Sequence, residues 1–483
     1  MKAQENPQTV ASLPLATSRR WRAPWAAAAL ALGLASSQAW AAGVEYPDNG
    51  TLSIGRGGAW AAHPRDGLAL QYNPAGLAQQ RGLNLYLDAR LASQQVSFEA
   101  SDALVGQKLV ENGSAPFLAP SLALVWGLGA TGPLSDLSLA VGATGPSSIG
   151  KLDYPKAGAE RYALYKTDYF ISYASAAVAG AWRDWLRFGV TGQLVSGSAR
   201  FEQAVWSGFG KGSDPGVDTD AVFDGSGGPI ATAVVGLSIV PNDQWAFGLS
   251  WRPHIRFEAD GTLVTTAPAS AKDFKVTQLG TSATLELDFA DIIRLGALYR
   301  PTPALELEVN AVWERWSVME QIAIRTHNVM VQYEYEADKF DQVPVPDIIF
   351  PKHFKDAYSI RAGMEWTALA ERLQVRGGWL LETSAVPEAY VGVEFPNWGR
   401  QVASIGASLQ LFGAWLDLAY AHHFVDTQEV TGSLSKQQVT PPLPKTFLPA
   451  AEASTIGNGT YQASMDIVSL SLRVPLQKLR SIF

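Results

Sequence analysis

Residues 305–314 read Leu305-Glu306-Leu307-Glu308-Val309-Asn310-Ala311-Val312-Trp313-Glu314. In an extended chain successive side chains point to opposite faces. Leu305, Leu307, Val309, Ala311 and Trp313 therefore share one face, and Glu306, Glu308, Asn310 and Glu314 share the other. The same period of two recurs on both sides of this stretch. Leu83, Leu85, Leu87, Ala89 and Leu91 alternate with Asn84, Tyr86, Asp88 and Arg90. Trp245, Phe247, Leu249 and Trp251 alternate with Ala246, Gly248, Ser250 and Arg252. Ile293, Leu295, Ala297 and Tyr299 alternate with Arg294, Gly296 and Arg300. Tyr358, Ile360, Ala362, Met364 and Trp366 alternate with Ser359, Arg361, Gly363 and Glu365. Long helical periodicity is missing.

Fourteen such runs begin near residues 83, 119, 137, 166, 185, 230, 244, 278, 304, 358, 372, 401, 414 and 460. Links after odd-numbered runs are long (99–118, 145–165, 207–229, 266–277, 319–357, 384–400, 427–459). Links after even-numbered runs are short, such as Pro241-Asn242-Asp243 and Arg300-Pro301-Thr302-Pro303. Long and short links in strict alternation, on an even number of strands, predict an all-β transmembrane antiparallel barrel of about 14 strands. Lipid offers no hydrogen bonds, so the sheet has to close on itself. Trp126, Trp185, Trp245, Trp251, Tyr299, Trp313, Trp366, Trp379, Trp415 and Tyr420 lie near strand ends, where a barrel carries its aromatic girdles. A soluble sandwich accounts for the alternation, but it does not demand alternating link lengths.

Composition agrees. The 483 residues include no Cys, 16 Trp and 44 Gly, with a formal charge of −8. That excludes disulfides and thiolate chemistry, and an acidic exported chain is a poor nucleic-acid binder. No stretch approaches the roughly 20 apolar residues of a spanning helix. Residues 1–41 read as a signal peptide: basic Arg19, Arg20 and Arg22, a short Ala/Leu core from Ala26 to Leu34, and Ala39-Trp40-Ala41 as cleavage site. The Arg19-Arg20 pair alone does not argue for the twin-arginine route, which carries folded cargo. Residues 42–80 break the strand pattern. They are Gly- and turn-rich, too short for a separate domain, and predicted to fill the lumen as a plug, with the barrel occupying 81–483.

Within this plug, Gly55-Arg56-Gly57-Gly58-Ala59, the following Asp66, and Asn73-Pro74-Ala75-Gly76-Leu77 resemble the FadL-type family of outer-membrane transporters for long-chain fatty acids and aromatic hydrocarbons. So do Ala290-Asp291-Ile292-Ile293-Arg294-Leu295-Gly296 and Trp313-Glu314-Arg315-Trp316-Ser317. The resemblance covers most of the mature chain. It implies a hatch holding Gly55, Arg56, Gly57, Gly58, Asn73, Pro74 and Ala75. It also implies sideways release at a kink in the third strand, here Gly142 to Gly145-Pro146, where glycine adds no wall and proline cannot donate to the ladder. The alternative is that Gly145-Pro146 simply ends the strand. The chain departs from the common barrel ending: Phe483 is present, but Pro475 and Gln477-Lys478-Leu479-Arg480 interrupt the last run.

The polar face carries Arg90, Arg187, Arg252, Arg294, Arg300, Arg361, Arg376 and Arg473. Most are expected to pair with lumen acids such as Asp88, Glu306, Glu314, Glu365 and Asp417. Arg294, Arg361 and Arg376 are the candidates to hold a ligand carboxylate by a charge-assisted fork. His422 and His423 point to opposite faces of a strand and cannot chelate one ion together. The acidic run Tyr333-Glu334-Tyr335-Glu336-Ala337-Asp338 is expected to be a solvated loop. No metal or cofactor is expected. The chain lacks G-x-S-x-G, H-E-x-x-H and P-loop motifs, and no Ser-His pair has the strand spacing of a barrel lipase. The expectation is passive transport of a hydrophobic ligand, fatty acid or hydrocarbon, by a monomer in contact with lipid and lipopolysaccharide in the outer membrane of a Gram-negative bacterium. A diffusion porin or an adhesin on the same barrel is the alternative.

Overall fold

The computed structural model describes residues 49–101, 107–145, 150–207, 214–369, 372–396, 398–446 and 452–479. The expected signal peptide, the first residues of the plug, Pro146 and Phe483 lie outside the described residues. The alternating runs form fourteen antiparallel strands: β1 Gly82–Ala100, β2 Phe117–Thr131, β3 Leu134–Thr144, β4 Lys166–Trp182, β5 Leu186–Trp206, β6 Asp218–Asn242, β7 Trp245–Arg252 continued by Ile255–Thr266, β8 Ser282–Phe289 continued by Ile292–Thr302, β9 Leu305–Glu314 continued by Gln321–Thr326, β10 Ile348–Pro351 continued by Ala357–Ala368, β11 Leu373–Glu382, β12 Arg400–Leu411, β13 Ala414–Val425 and β14 Gly459–Pro475. Each pairs with the next. β1 also pairs with β14, from Asn84–Pro475 to Ala100–Gly459, and this closes the ring.

Burial inverts the logic of a soluble protein. Asp88 and Arg90 on β1 are buried, whereas Leu87 and Leu91 on either side of them are 41% and 46% exposed. The same holds on β10, where Arg361 and Glu365 are buried and Ile360, Met364 and Trp366 face out. An outward apolar band with aromatic ends suits hydrocarbon, and the charged residues face one another across the interior.

Two strands depart from the sequence reading. β6 begins at Asp218 rather than near 230, because Gly225-Ser226-Gly227 stays in the ladder opposite Ala199, Ser198 and Gly197. The Gly-Pro that reads as a loop instead sits at a register shift between Val195 and Gly197, where a strand tolerates proline. β10 starts at Ile348, paired with Ile324, before the residue 358 start expected. The loop between them carries a hairpin, Met330–Glu336 with Lys339–Pro344. There Lys275 pairs with Glu334 and Lys339 with Glu336, as suits a solvated acidic loop.

β3 is shorter than its neighbours. Its pairing with β4 stops at Thr144–Tyr173, and the segment Lys151–Asp153 resumes it at Lys166–Asp168. The last strand runs to Pro475 and passes into a helical turn, Leu476–Leu479. Gln477 Oε1 accepts from Leu83 N at 2.8 Å and ties this turn to β1.

Candidate functional site

Residues 49–80 lie inside the ring of strands and are almost entirely buried. The segment holds two short helical turns, Thr51–Ile54 and Ala69–Tyr72, and a 3-10 turn, Pro74–Gln79. Gly57 and Gly58 take φ of 61° and 75°, a region that favours glycine, so the chain can reverse between them. Asn73 staples the fold of the segment. Its Oδ1 accepts from Ala75 N at 3.1 Å, and its Nδ2 donates to Ala61 O at 2.8 Å and to Leu237 O of β6 at 3.1 Å.

The wall is shaped to receive this backbone. Gly189, Gly236, Gly248, Gly296, Gly363, Gly378 and Gly406 stand one each on β5, β6, β7, β8, β10, β11 and β12. At each, an added Cβ would fall 3.1 Å or less from an atom of the inner segment. On β9 the position is taken by Asn310, whose Oδ1 accepts from Trp60 N at 2.8 Å and Ala61 N at 3.0 Å. Glu308 Oε1 accepts from Ala62 N at 2.8 Å, and Ser404 Oγ from Gly57 N at 2.8 Å.

Beneath this belt lies an ion-pair network. Arg56, fully buried, reaches Glu306 at 3.2 Å and Glu308 at 3.1 Å. Arg65 pairs with Glu306 at 3.0 Å and with Glu365, and Arg300 with Glu306 at 2.9 Å. Arg376 belongs to this network: it donates to Glu365 and Ser408 at 2.5 Å each and to Gln374 at 2.7 Å. Arg473 is likewise held by Asp417, at 2.7 Å.

Above the inner segment the interior is a second layer of arginines. Arg252 and Arg361 flank Arg294 closely enough to repel it, with Glu314 nearby. Glu382 bridges Arg361 at 3.5 Å and Arg400 at 2.8 Å, and Arg400 contacts His423 at 3.3 Å. His422 faces the other way, toward Asp466 at 2.8 Å. Arg294 is 2% exposed, and its Nε and Nη1 have no hydrogen-bond partner among the described residues. Its guanidinium lies 5.5 Å from the ring centroid of Tyr72, in the inner segment.

Over the arginines the lining turns apolar, with Phe257, Phe289, Trp316, Met319 and Phe354 in one buried cluster. That cluster reaches the outside. Val205, Ala221, Leu263 and Ile348 belong to it and also line a pocket of about 90 Å³ among the loops, completed by Val331 and Leu443.

These layers sit on a chain that matches, over residues 32–458, the family model described as outer membrane protein transport protein (OMPP1/FadL/TodX). The chain belongs to the OMPP1/FadL/TodX family. Solved structures share the fold. One is a Pseudomonas aeruginosa FadL homologue: 15% identical, covering 90% of this chain and 100% of that one, TM-score 0.70. Another is the toluene transporter TodX of P. putida: 12% identical, 89% and 98% covered, TM-score 0.62. A third is the toluene transporter TbuX of Ralstonia pickettii: 13% identical, 88% and 98% covered, TM-score 0.58. No curated protein sequence matches the chain. Members of the OMPP1/FadL/TodX family are outer-membrane barrels that transport hydrophobic compounds.

Of the residues singled out in the sequence, Gly55, Arg56, Gly57, Asn73 and Pro74 touch the wall directly, and Gly58 and Ala75 hold turns of the segment. Gly142 lies against Leu70 of the inner segment, 2.8 Å from an added Cβ to the Leu70 Cδ1 methyl. Gly145 N donates to Pro120 O at 2.7 Å at the end of β3. The sequence reading missed the glycine belt, Asn310 and Arg400. Arg400 is recoverable by running the inward phase of Val402 and Ser404 back to the start of β12.

Proposed function

We propose that the chain carries hydrophobic molecules with a carboxylate head, long-chain fatty acids foremost, passively across the outer membrane of a Gram-negative bacterium, and that residues 42–80 act as its hatch. The ligand enters the loop cavity, moves along the apolar cluster, gaining roughly 0.8 kcal/mol per CH₂ taken from water, and places its head group on the arginine layer. It leaves sideways near Gly142, Gly145 and Pro146.

The observation that carries the reading is Arg294: buried, two nitrogens without a partner among the described residues, and set between an apolar layer and the hatch. Arg361 and Arg400 share Glu382, so the layer holds cations beyond its acids. Arg376 is engaged lower down and is the weaker candidate. A lumen closed by a buried, hydrogen-bonded segment argues against an open porin.

The test is binding of oleate and of a neutral alkane of similar length to purified protein. Hydrogen bonds to charged groups contribute about 1.5–3 kcal/mol. Arg294→Met is therefore expected to weaken oleate binding roughly tenfold to a hundredfold and to leave the alkane unchanged. Equal loss for both, or none, overturns the carboxylate assignment. The toluene transporters among the similar structures supply a second reading, a neutral aromatic cargo held by the apolar cluster alone. Toluene binding with no oleate binding favours it.

A further inference from the structure

The two sides of the inner segment meet the wall in different ways. On the side of β5–β12 the contact is backbone on backbone, through the glycine belt, and is fixed by hydrogen bonds to Asn310, Glu308 and Ser404. Ser238 Oγ donates to Ala62 O at 3.3 Å, and Ser250 Oγ to Tyr72 O at 2.5 Å. Against β2–β4 residues 67–77 make a contact of grease, while on β1 Asp88 Oδ2 accepts from Thr51 N at 2.9 Å and from Thr51 Oγ1 at 2.6 Å and so adds to the hold on the other half of the segment. Leu68, Ala69, Leu70 and Leu77 pack on Ala123, Val125, Ala140, Ala177 and Ala179. Asp66–Gln71 makes no hydrogen bond to the wall among the described residues. Asp66 bonds within the segment, to Trp60 Nε1 and Leu68 N, and Gln71 to Asn49. Among the described residues the arc is hydrogen-bonded to the wall only at its ends, by Arg65 on Glu306 and by Tyr72 and Asn73 on β7 and β6.

From this asymmetry we infer that the hatch has a fixed half, residues 51–62, and a movable arc, residues 66–71, and that ligand passes between the arc and the wall of β2–β4 while the fixed half stays seated. Alanine side chains offer nothing to grip, and replacing one apolar contact by another leaves no donor or acceptor bare. The arc also abuts Gly142 on β3, a strand shorter than both its neighbours, so its displacement opens toward the place where β3–β4 pairing stops. The inference rests on the transport reading and says which part of the hatch performs it.

The chain has no cysteine, so engineered pairs stand alone. Gly67→Cys with Ala123→Cys ties the arc to β2, with Cβ positions 2.6 Å apart before relaxation. Ala61→Cys with Gly296→Cys ties the fixed half to β8, at 3.1 Å. Both need a small retreat to reach the roughly 3.5–4.5 Å of a disulfide. Each variant, reconstituted in lipid vesicles, is assayed for oleate and toluene uptake oxidised and then reduced, so the reduced form controls for folding. The arc cross-link is expected to stop uptake reversibly, and oxidation of the fixed-half pair to leave uptake equal to that of the same variant reduced. Uptake through the oxidised arc variant, or its loss in the oxidised fixed-half variant, overturns the inference. Should the reduced Gly67/Ala123 variant not transport, Leu70→Cys with Gly142→Cys ties the arc to β3 instead, where the Leu70 Cδ1 methyl lies 2.8 Å from an added Cβ. Wild-type vesicles that take up neither probe overturn the transport reading instead.

Discussion

Adding one methyl group to β5 isolates the role of the glycine belt. Gly189 faces inward, and a Cβ built on it lies 2.5 Å from Pro74 C, 2.6 Å from Pro74 O and 2.9 Å from Ala75 N. All three are backbone atoms of a proline-led turn, so no flexible side chain can swing away. Gly192, on the same strand, faces outward, and its nearest neighbour is Ala176 O at 4.0 Å. Glycine to alanine in a strand by itself stabilises by about 0.4–1 kcal/mol through the unfolded chain, and that gain is common to both sites. At Gly189 overpacking adds a cost of about 1–3 kcal/mol. Each 1.4 kcal/mol is a factor of ten, so the turn should open roughly five- to a hundredfold more often. Hydrogen exchange reads this directly at the amides of Ala75 and Gly76, which are bonded to Asn73 Oδ1 and Asn73 O. Gly189→Ala should speed exchange there, while Gly192→Ala should leave it unchanged. Equal exchange in the two variants would refute the idea that the wall is fitted to the backbone of the hatch.

Two further outcomes follow from buried charge. Arg56→Met strips Glu308 of its cation and removes one of three from Glu306, an exchange expected to cost about 3–5 kcal/mol. The folded band on unboiled gels should vanish at a lower temperature than in wild type, and Glu308→Gln in the same chain should restore part of the difference. Glu160, in the loop between β3 and β4, is buried, and neither carboxylate oxygen has a partner among the described residues. Burial pushes its carboxyl up from 4.5 to about 8, against the pull of its own backbone N–H and then of Arg161. The folded loop therefore holds the proton more tightly than the unfolded chain. The stability this lends is full below pH 4.5 and lost as pH rises toward about 8. Proteolysis at residues 150–165 should quicken across that window, and Glu160→Gln should abolish the trend.

The barrel was legible because its period is written in every strand: Leu305 to Glu314 alternates whatever its neighbours do. β6 was read short for the same reason in reverse. Gly225-Ser226-Gly227-Gly228-Pro229 has no apolar alternation, and only its register against β5 keeps it in the sheet. The glycine belt was invisible on similar grounds. Glycine inside a strand reads as a weak position until the backbone it faces is known. The arginines were legible as a set but not as a ranking. Arg294 and Arg376 share the inward phase, yet Arg376 is surrounded by Glu365, Ser408 and Gln374, and Arg294 by other arginines. That distinction is made by strands remote in sequence.

The division of the wall bears on how a barrel can be sealed to water and open to hydrocarbon at once. Lifting the hatch from β5–β12 would strip Trp60 N, Ala61 N, Ala62 N and Gly57 N of their acceptors, at about 1–3 kcal/mol for each donor left bare. Sliding a hydrocarbon chain between Leu70 and Ala177 exchanges one apolar neighbour for another and leaves every polar group where it was. A polar solute entering the same seam loses its hydration with no partner in return, at about 2–7 kcal/mol per group, a cost that a fatty acid meets once, as its protonated acid, against roughly 0.8 kcal/mol gained per CH₂ of its chain. Selectivity then requires no recognition along the seam itself. It follows from which half of the hatch is bonded to the wall and which half merely rests on it.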